Sequence, residues 1–228
     1  MDARTKILGR IRAQKNRDSL SADEKNLLET RIKSHQKNLI PKRGQIPLED
    51  QISLFVEKIE GLQATVDRVK DPSEIPEKIR DYLKGRNLPG RIKVTPSKEV
   101  SGLDWSKTPN LELIEGAGAE EDEVGLSPAF AAIAESGTLM MASGPDTPST
   151  VNFLPENHIV VLDISRMRGS YEEAWDLLRE KTADKGMPRT VNFISGPSRT
   201  ADIEQTLIMG AHGPKSLHVI LVGDGAKG

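Results

Sequence analysis

TVNFISGPSRTADIEQTLIMGAHGPKSLHVILV, residues 190–222, sets the reading of the chain. It opens on Val191, Phe193 and Ile194, a short apolar run whose length and β-branching predict a buried strand. At Ser195 the character changes to Ser-Gly-Pro-Ser-Arg-Thr-Ala-Asp, small, polar and charged side chains. A polar loop leaving the end of a buried strand is where open α/β sheets bind ligands. Gly196 permits a turn or a close backbone approach, and Pro197 sets the next φ. Ser198 and Thr200 bring hydroxyls, and Arg199 brings a planar cation suited to carboxylate or phosphate. Asp202 is placed to orient Arg199 or to accept from a ligand hydroxyl. Spacing alone leaves a second reading open, a strand-to-turn connection whose hydroxyls cap their own backbone. Residues 203–209 fit helix or strand. Gly210, Gly213 and Pro214 then make a turn, and 217–222 a final strand. His212, inside that turn, is the histidine best placed to reach a ligand.

Working back towards the N-terminus, His158 opens the strand HIVVL, where a hydrogen-bonded structural role is expected of it. Residues 171–181 read as an amphipathic helix with Ala174, Leu177 and Leu178 inward. The segment 127–137 has Ser127 at an N-cap position, Pro128 at N1 and Gly137 where a left-handed C-terminal residue belongs, so a buried helix is expected there. Glu135 would then sit unfavourably at a helix C-terminus, which suggests that something else holds it. A strand follows at 138–142, and shorter ones are expected at 92–94, 111–114 and 124–126. The acidic run 120–123 reads as a solvated loop. Residues 143–157 form a proline-containing loop.

Apolar residues Ile52, Phe55, Ile59, Leu62, Val66 and Val69 fall at alternating spacings of three and four. They predict one helix over 48–69, packing on its own domain rather than in a coiled coil. A helix over 76–84, ended by Gly85, follows. Before it, Pro41, Gly44 and Pro47 break the chain into a linker. Ser21 with Glu24 forms a capping box that starts a helix running to His35, and 2–14 read as another short basic helix.

The net charge of −2 conceals an asymmetry: residues 1–43 hold 12 Lys and Arg against 5 Asp and Glu, and the rest hold 20 against 29. A basic arm on an acidic body fits an acidic partner or only a solvated helical surface; without aromatic residues or a reading motif it argues against nucleic acid. The chain contains no cysteine, which excludes disulfides and any zinc or iron–sulfur cluster held by its own thiolates. None of His35, His158, His212 and His218 falls in a ligand spacing, so no metal site is expected. With no apolar run of membrane-spanning length and no signal-peptide pattern, a cytoplasmic location is expected. Residues 223–228 match G-x-G-x-x-G, but no helix follows, so they read as a flexible tail. The succession of elements from Ile92 to Val222 predicts an α/β fold.

Three pieces occur together and in order: GLSPAFAAIAESGTL at 125–139, LPENHI at 154–159 and ISGPSRTADIE at 194–204. In that order they resemble the LUD domain family, in particular its lactate utilization protein C group, over roughly residues 45–222. The resemblance implies a Rossmann-like sheet of the NagB/RpiA/CoA-transferase-like type, here with an N-terminal helical extension. It divides the chain into a basic helical arm (1–44), the α/β domain (45–222) and the tail (223–228). It also implies a cluster-free component of a multi-protein system oxidising L-lactate to pyruvate, with iron–sulfur proteins as partners. The motif positions carried over as a ligand site are Glu135, Ser136, Gly137 and Thr138, with Ser195, Gly196, Pro197, Ser198, Arg199, Thr200, Asp202 and Glu204; His212 joins them from the turn. The bound species is expected to be an anionic small molecule or a partner subunit. The alternative is a stand-alone CoA-transferase-like or sugar-phosphate isomerase-like enzyme, in which Glu135 would be the catalytic candidate by analogy of fold.

Overall fold

The computed structural model describes residues 2–15, 20–203 and 206–224. The chain divides into two units, Met1–Leu39 and Ile40–Gly228. The first holds helices α1 (Ala3–Gln14) and α2 (Ala22–Ser34). Helix α2 begins with the expected capping box, Ser21 and Glu24 each accepting from the other's backbone N–H. Neither helix buries a residue, and Ile7, Leu27 and Ile32 stand more than half exposed.

In the second unit the described elements are α3 (Leu48–Gly61), β1 (Thr65–Val69), α4 (Ile75–Gly85), β2 (Arg91–Val94), α5 (Lys98–Ser101), β3 (Glu112–Glu115), β4 (Val124–Pro128), β5 (Ala131–Ile133), β6 (Thr138–Ala142), β7 (Asn157–Asp163), β8 (Met167–Arg168), α6 (Tyr171–Thr182), β9 (Val191–Ile194), β10 (Arg199–Ile203), β11 (Thr206–Met209) and β12 (Ser216–Val222). Strands β1, β12, β7, β4, β2 and β3 lie in that order in one parallel sheet. Alternation along the central strands feeds two cores. Val160, Leu162, Val219 and Leu221 meet Ile52, Phe55 and Ile59 of α3. Ile159, Val161 and Ile220 meet Ile75, Ile79 and Leu83 of α4. Both faces are covered, which is why β7 and β12 read as nearly unbroken apolar runs.

A four-stranded sheet, β8-β5-β6-β9, packs on the α3 face. Ala132, Leu139 and Met141 point into the shared core, while Ala131, Ile133 and Met140 point the other way onto Ala174, Leu177 and Leu178 of α6. Strands β10 and β11 form a separate antiparallel hairpin.

Four sequence expectations are corrected. The helix expected over 48–69 ends at Gly61, Gln63 turns the chain with a left-handed φ of 69°, and Val66 and Val69 lie on β1 beside β12. The three-four spacing continues past the helix because a half-buried strand also places apolar residues at short intervals. The helix expected over 127–137 is the end of β4, then β5 and one 3-10 turn. Its small apolar residues are buried on all sides because they lie between two layers, a composition that serves helix or strand. Gly137 nevertheless takes the expected left-handed conformation, φ 62°. Strand β9 is an edge of the small sheet, not a buried strand, and leaves Phe193 39% exposed. Within the acidic run Asp122 is buried, accepting from the Ala119 N–H at 2.8 Å, with Lys93 Nζ at 3.7 Å.

Candidate functional site

The loop after β9 is clamped by one residue. Ser198 donates its backbone N–H to the Pro214 carbonyl at 2.8 Å and accepts from the Gly210 N–H at 3.0 Å. Its Oγ accepts from the His212 N–H at 3.4 Å. This ties the loop to the turn before β12. Gly196 has φ 138°, and a Cβ there would lie 2.9 Å from the Leu62 carbonyl oxygen, so both conformation and space require glycine.

Between loop and turn lies an open cleft of about 190 Å³, lined by Ser195, Gly196, Ser198 and His212 together with Asn152, His158 and hydrophobic neighbours. A second cleft, about 330 Å³, shares Phe193, Ser195 and Gly196 with the first and extends to Pro197 and Arg199. Arg199 Nη2 donates to the Leu62 carbonyl, which holds the guanidinium at that end. Thr200 pairs with Ile208 across the hairpin, and Asp202 lies on the same strand. Glu204 falls outside the described residues. His158 and Leu217 stand second in β7 and β12, so the first cleft opens at the starts of the parallel strands rather than at their carboxyl ends.

Ser136, Thr138 and Ser195 converge with Tyr171 in a chain of hydroxyls. Thr138 Oγ1 lies 2.7 Å from Ser195 Oγ, 2.8 Å from Ser136 Oγ and 3.1 Å from the Tyr171 hydroxyl. Gly137 lets this turn press on α3, where a Cβ would lie 2.6 Å from both Ile59 N and Lys58 Cβ. Glu135 is buried beside them but does not line the cleft. Its Oε1 accepts from the Tyr171 N–H at 3.3 Å, the first residue of α6, and Arg43 Nη2 lies 3.7 Å from Oε2. The carboxylate thus faces a helix N-terminus, the favourable end of the dipole, in place of the unfavourable C-terminus expected from the sequence.

His158 is the residue whose importance the sequence concealed. It is 1% exposed, and its Nε2 lies 2.8 Å from Ser127 Oγ, which in turn donates to Asn152 Oδ1 at 2.9 Å. Burial pushes its pKa down to about 3, so the ring is neutral at ordinary pH. It is hydrogen-bonded structure, as expected, and also part of the cleft wall. Ser127, Asn152 and His158 lie on separate segments, so no local spacing announces their meeting. Among the described residues no cluster of acidic or histidine side chains is placed to hold a metal ion, and none of the described helices is long and apolar enough to cross a membrane.

The family model of the LUD domain matches residues 52–222, which takes in the parallel sheet and both clefts. The chain belongs to the LUD domain family. The chain is similar to an uncharacterized protein of Neisseria meningitidis serogroup B, 42% identical over 100 residues, covering 44% of this chain and 42% of that protein. It is also similar to lactate utilization protein C of Bacillus subtilis, 34% identical over 130 residues, covering 57% of this chain and 53% of that one. Lactate utilization protein C of Halalkalibacterium halodurans is 36% identical over 121 residues, covering 53% and 52%. The chain spans about half the length of the curated relatives it matches. In fold, the chain resembles the crystal structure of a DUF162 family protein from Deinococcus radiodurans, with a TM-score of 0.58 at 19% identity, covering 78% of this chain and 99% of that one.

Proposed function

We propose that this chain is a component of a multi-protein system that oxidises L-lactate to pyruvate for growth on lactate, and that it binds an anionic small molecule or a partner subunit at residues 195–202. The observation that carries the reading is the pair of adjoining clefts built on Ser195, Gly196, Ser198 and Arg199, in a LUD domain whose relatives include proteins named for lactate utilization. Arg199 supplies the cation for a carboxylate or phosphate, and the serine hydroxyls supply further donors. Since the chain has no cysteine, electrons that travel through iron–sulfur clusters travel through partner proteins. The basic residues of 1–43 dock on an acidic surface of such a partner.

The test is Arg199→Ala in a host whose growth on L-lactate depends on this chain. Growth on lactate should be lost, while far-UV circular dichroism and the thermal midpoint of the purified variant stay unchanged. Normal growth on lactate refutes the reading.

A further inference from the structure

The chain leaves β2 outward, to the edge strand β3, but leaves β4 in the opposite direction, to β7, its next strand in the parallel sheet. Neighbouring strands whose connections part in this way open a crevice at their carboxyl ends, where open α/β sheets take ligands. A cleft of about 200 Å³ lies at that end. It is lined by Glu99 from α5 after β2, by Pro128 and Ala129 at the end of β4, and by Arg166 from the turn after β7. The cleft beside His158 and Leu217 opens at the starts of the strands, so the two lie at opposite ends of the sheet.

Arg166 is held from two sides. Its Nη2 donates to Glu99 Oε1 at 2.9 Å and its Nη1 to the Ala129 carbonyl at 3.4 Å. A guanidinium has five N–H donors, so three remain on a head already fixed in place. One oxygen of Glu99 is engaged and the other is left over, and both side chains reach solvent. Most of the remaining wall is apolar, with Phe130, Ala142, Leu178 and Pro188. Thr147 and Thr182 have given their hydroxyl protons to the Ala142 and Leu178 carbonyls. A carboxylate entering alone would meet the Arg166 cation but also the Glu99 charge beside it, and an amine entering alone would meet the reverse. A molecule bearing both charges suits both. Because Arg166 and Glu99 touch, the two charges of the occupant must also be close together, as they are on an α-amino acid. The volume, below the ~300–1,000 Å³ usual for ligand pockets, admits only a small molecule.

We propose that this cleft binds a free α-amino acid with an apolar side chain. The carboxylate is received by Arg166, the ammonium by Glu99, and the side chain by the wall that includes Phe130 and Leu178. The inference is independent of the reading of residues 195–202, which belong to the other end of the sheet.

The experiment is calorimetric titration of the full chain with four probes: L-leucine, glycine, 4-methylpentanoate and 3-methylbutylamine. The last three each lack one feature of leucine, in turn the apolar side chain, the ammonium and the carboxylate. L-Leucine should bind, and each of the others should bind roughly 10- to 150-fold more weakly, the value of a buried apolar side chain or of a hydrogen bond to a charged group. Glu99→Gln keeps an acceptor for Arg166 but removes the charge. It should weaken L-leucine roughly tenfold and tighten 4-methylpentanoate, a crossing of preferences that a merely structural role for Glu99 would not produce. Absence of leucine binding, equal binding of leucine and any of the three analogues, or a Glu99→Gln variant that shifts leucine and 4-methylpentanoate in the same direction or neither of them overturns the inference. The four titrations of the unaltered chain decide it even if the variant does not fold.

Discussion

Lowering the pH from 7 to 5 protonates histidines in the unfolded chain but not the two that folding buries. Desolvation pushes His158 down to about 3. His218 is pushed down to about 4, chiefly by desolvation, with the Asp67 carboxylate opposing. His218 stacks on Tyr82 at 4.0 Å between ring centroids, and its Nδ1 lies 2.8 Å from Thr65 Oγ1. At neutral pH its contact with Asp67 at 3.7 Å is therefore not an ion pair. Because both folded pKa values lie below the unfolded value near 6.5, the unfolded state binds more protons between them, and stability rises with pH across that window. The stability is present in full above about 6.5 and is lost progressively as pH falls towards 4 and then 3. Each histidine loses about 2 kcal/mol between pH 7 and pH 5, and the pair about 4 kcal/mol, a large part of the roughly 5–15 kcal/mol that holds a domain together. Urea unfolding at pH 7, 6 and 5 measures it directly. With a slope of about 2 kcal/mol per molar urea, the midpoint should fall by roughly 2 M over the two pH units. Midpoints that stay level from pH 7 to 5 would refute the burial argument for both rings.

Two further substitutions probe the turn that carries the expected ligand residues. Gly137→Ala must hold a left-handed φ and push a Cβ into the backbone of α3, so it should cost about 2 kcal/mol or more, read by urea unfolding at pH 7; a change under about 0.5 kcal/mol would mean the contact with α3 is not tight. Glu135→Gln keeps an acceptor for the Tyr171 N–H but removes the charge at the α6 N-terminus, so it should lower stability by about 0.5–1 kcal/mol in the same assay. An unchanged or raised stability would show that the carboxylate is not held by the helix end.

Much of the scaffold was legible because its signals are local. The capping box at Ser21, the inward face of α6, and the apolar runs of β7 and β12 each depend on neighbours a few residues away. The errors fall where one composition serves two structures. Residues 127–137 are small and apolar because they lie between α6 and the main sheet, and a residue enclosed on every side shows no period. The heptad-like spacing misled for a related reason, since nothing in Val66 or Val69 says that the chain has already turned at Gln63.

The candidate site divides in the same way. The Ser195–Arg199 segment stood out by its own chemistry, polar residues after an apolar strand, and with His212 it meets at the clefts. His158, Ser127 and Asn152 did not stand out, because each has an ordinary structural explanation when taken alone.

By itself, then, the amino-acid order determined the α/β class, the absence of thiolate-held clusters, the charge asymmetry of the first 43 residues and the polar loop at 195–202. Those are properties of composition and of residues close in the chain. Tertiary structure alone decided which strands are neighbours, that Glu135 faces a helix N-terminus, and that a buried histidine bonded to Ser127 stands in the cleft wall. Such facts arise from segments far apart in sequence, and only packing brings their hydrogen-bonding atoms within 3 Å of one another.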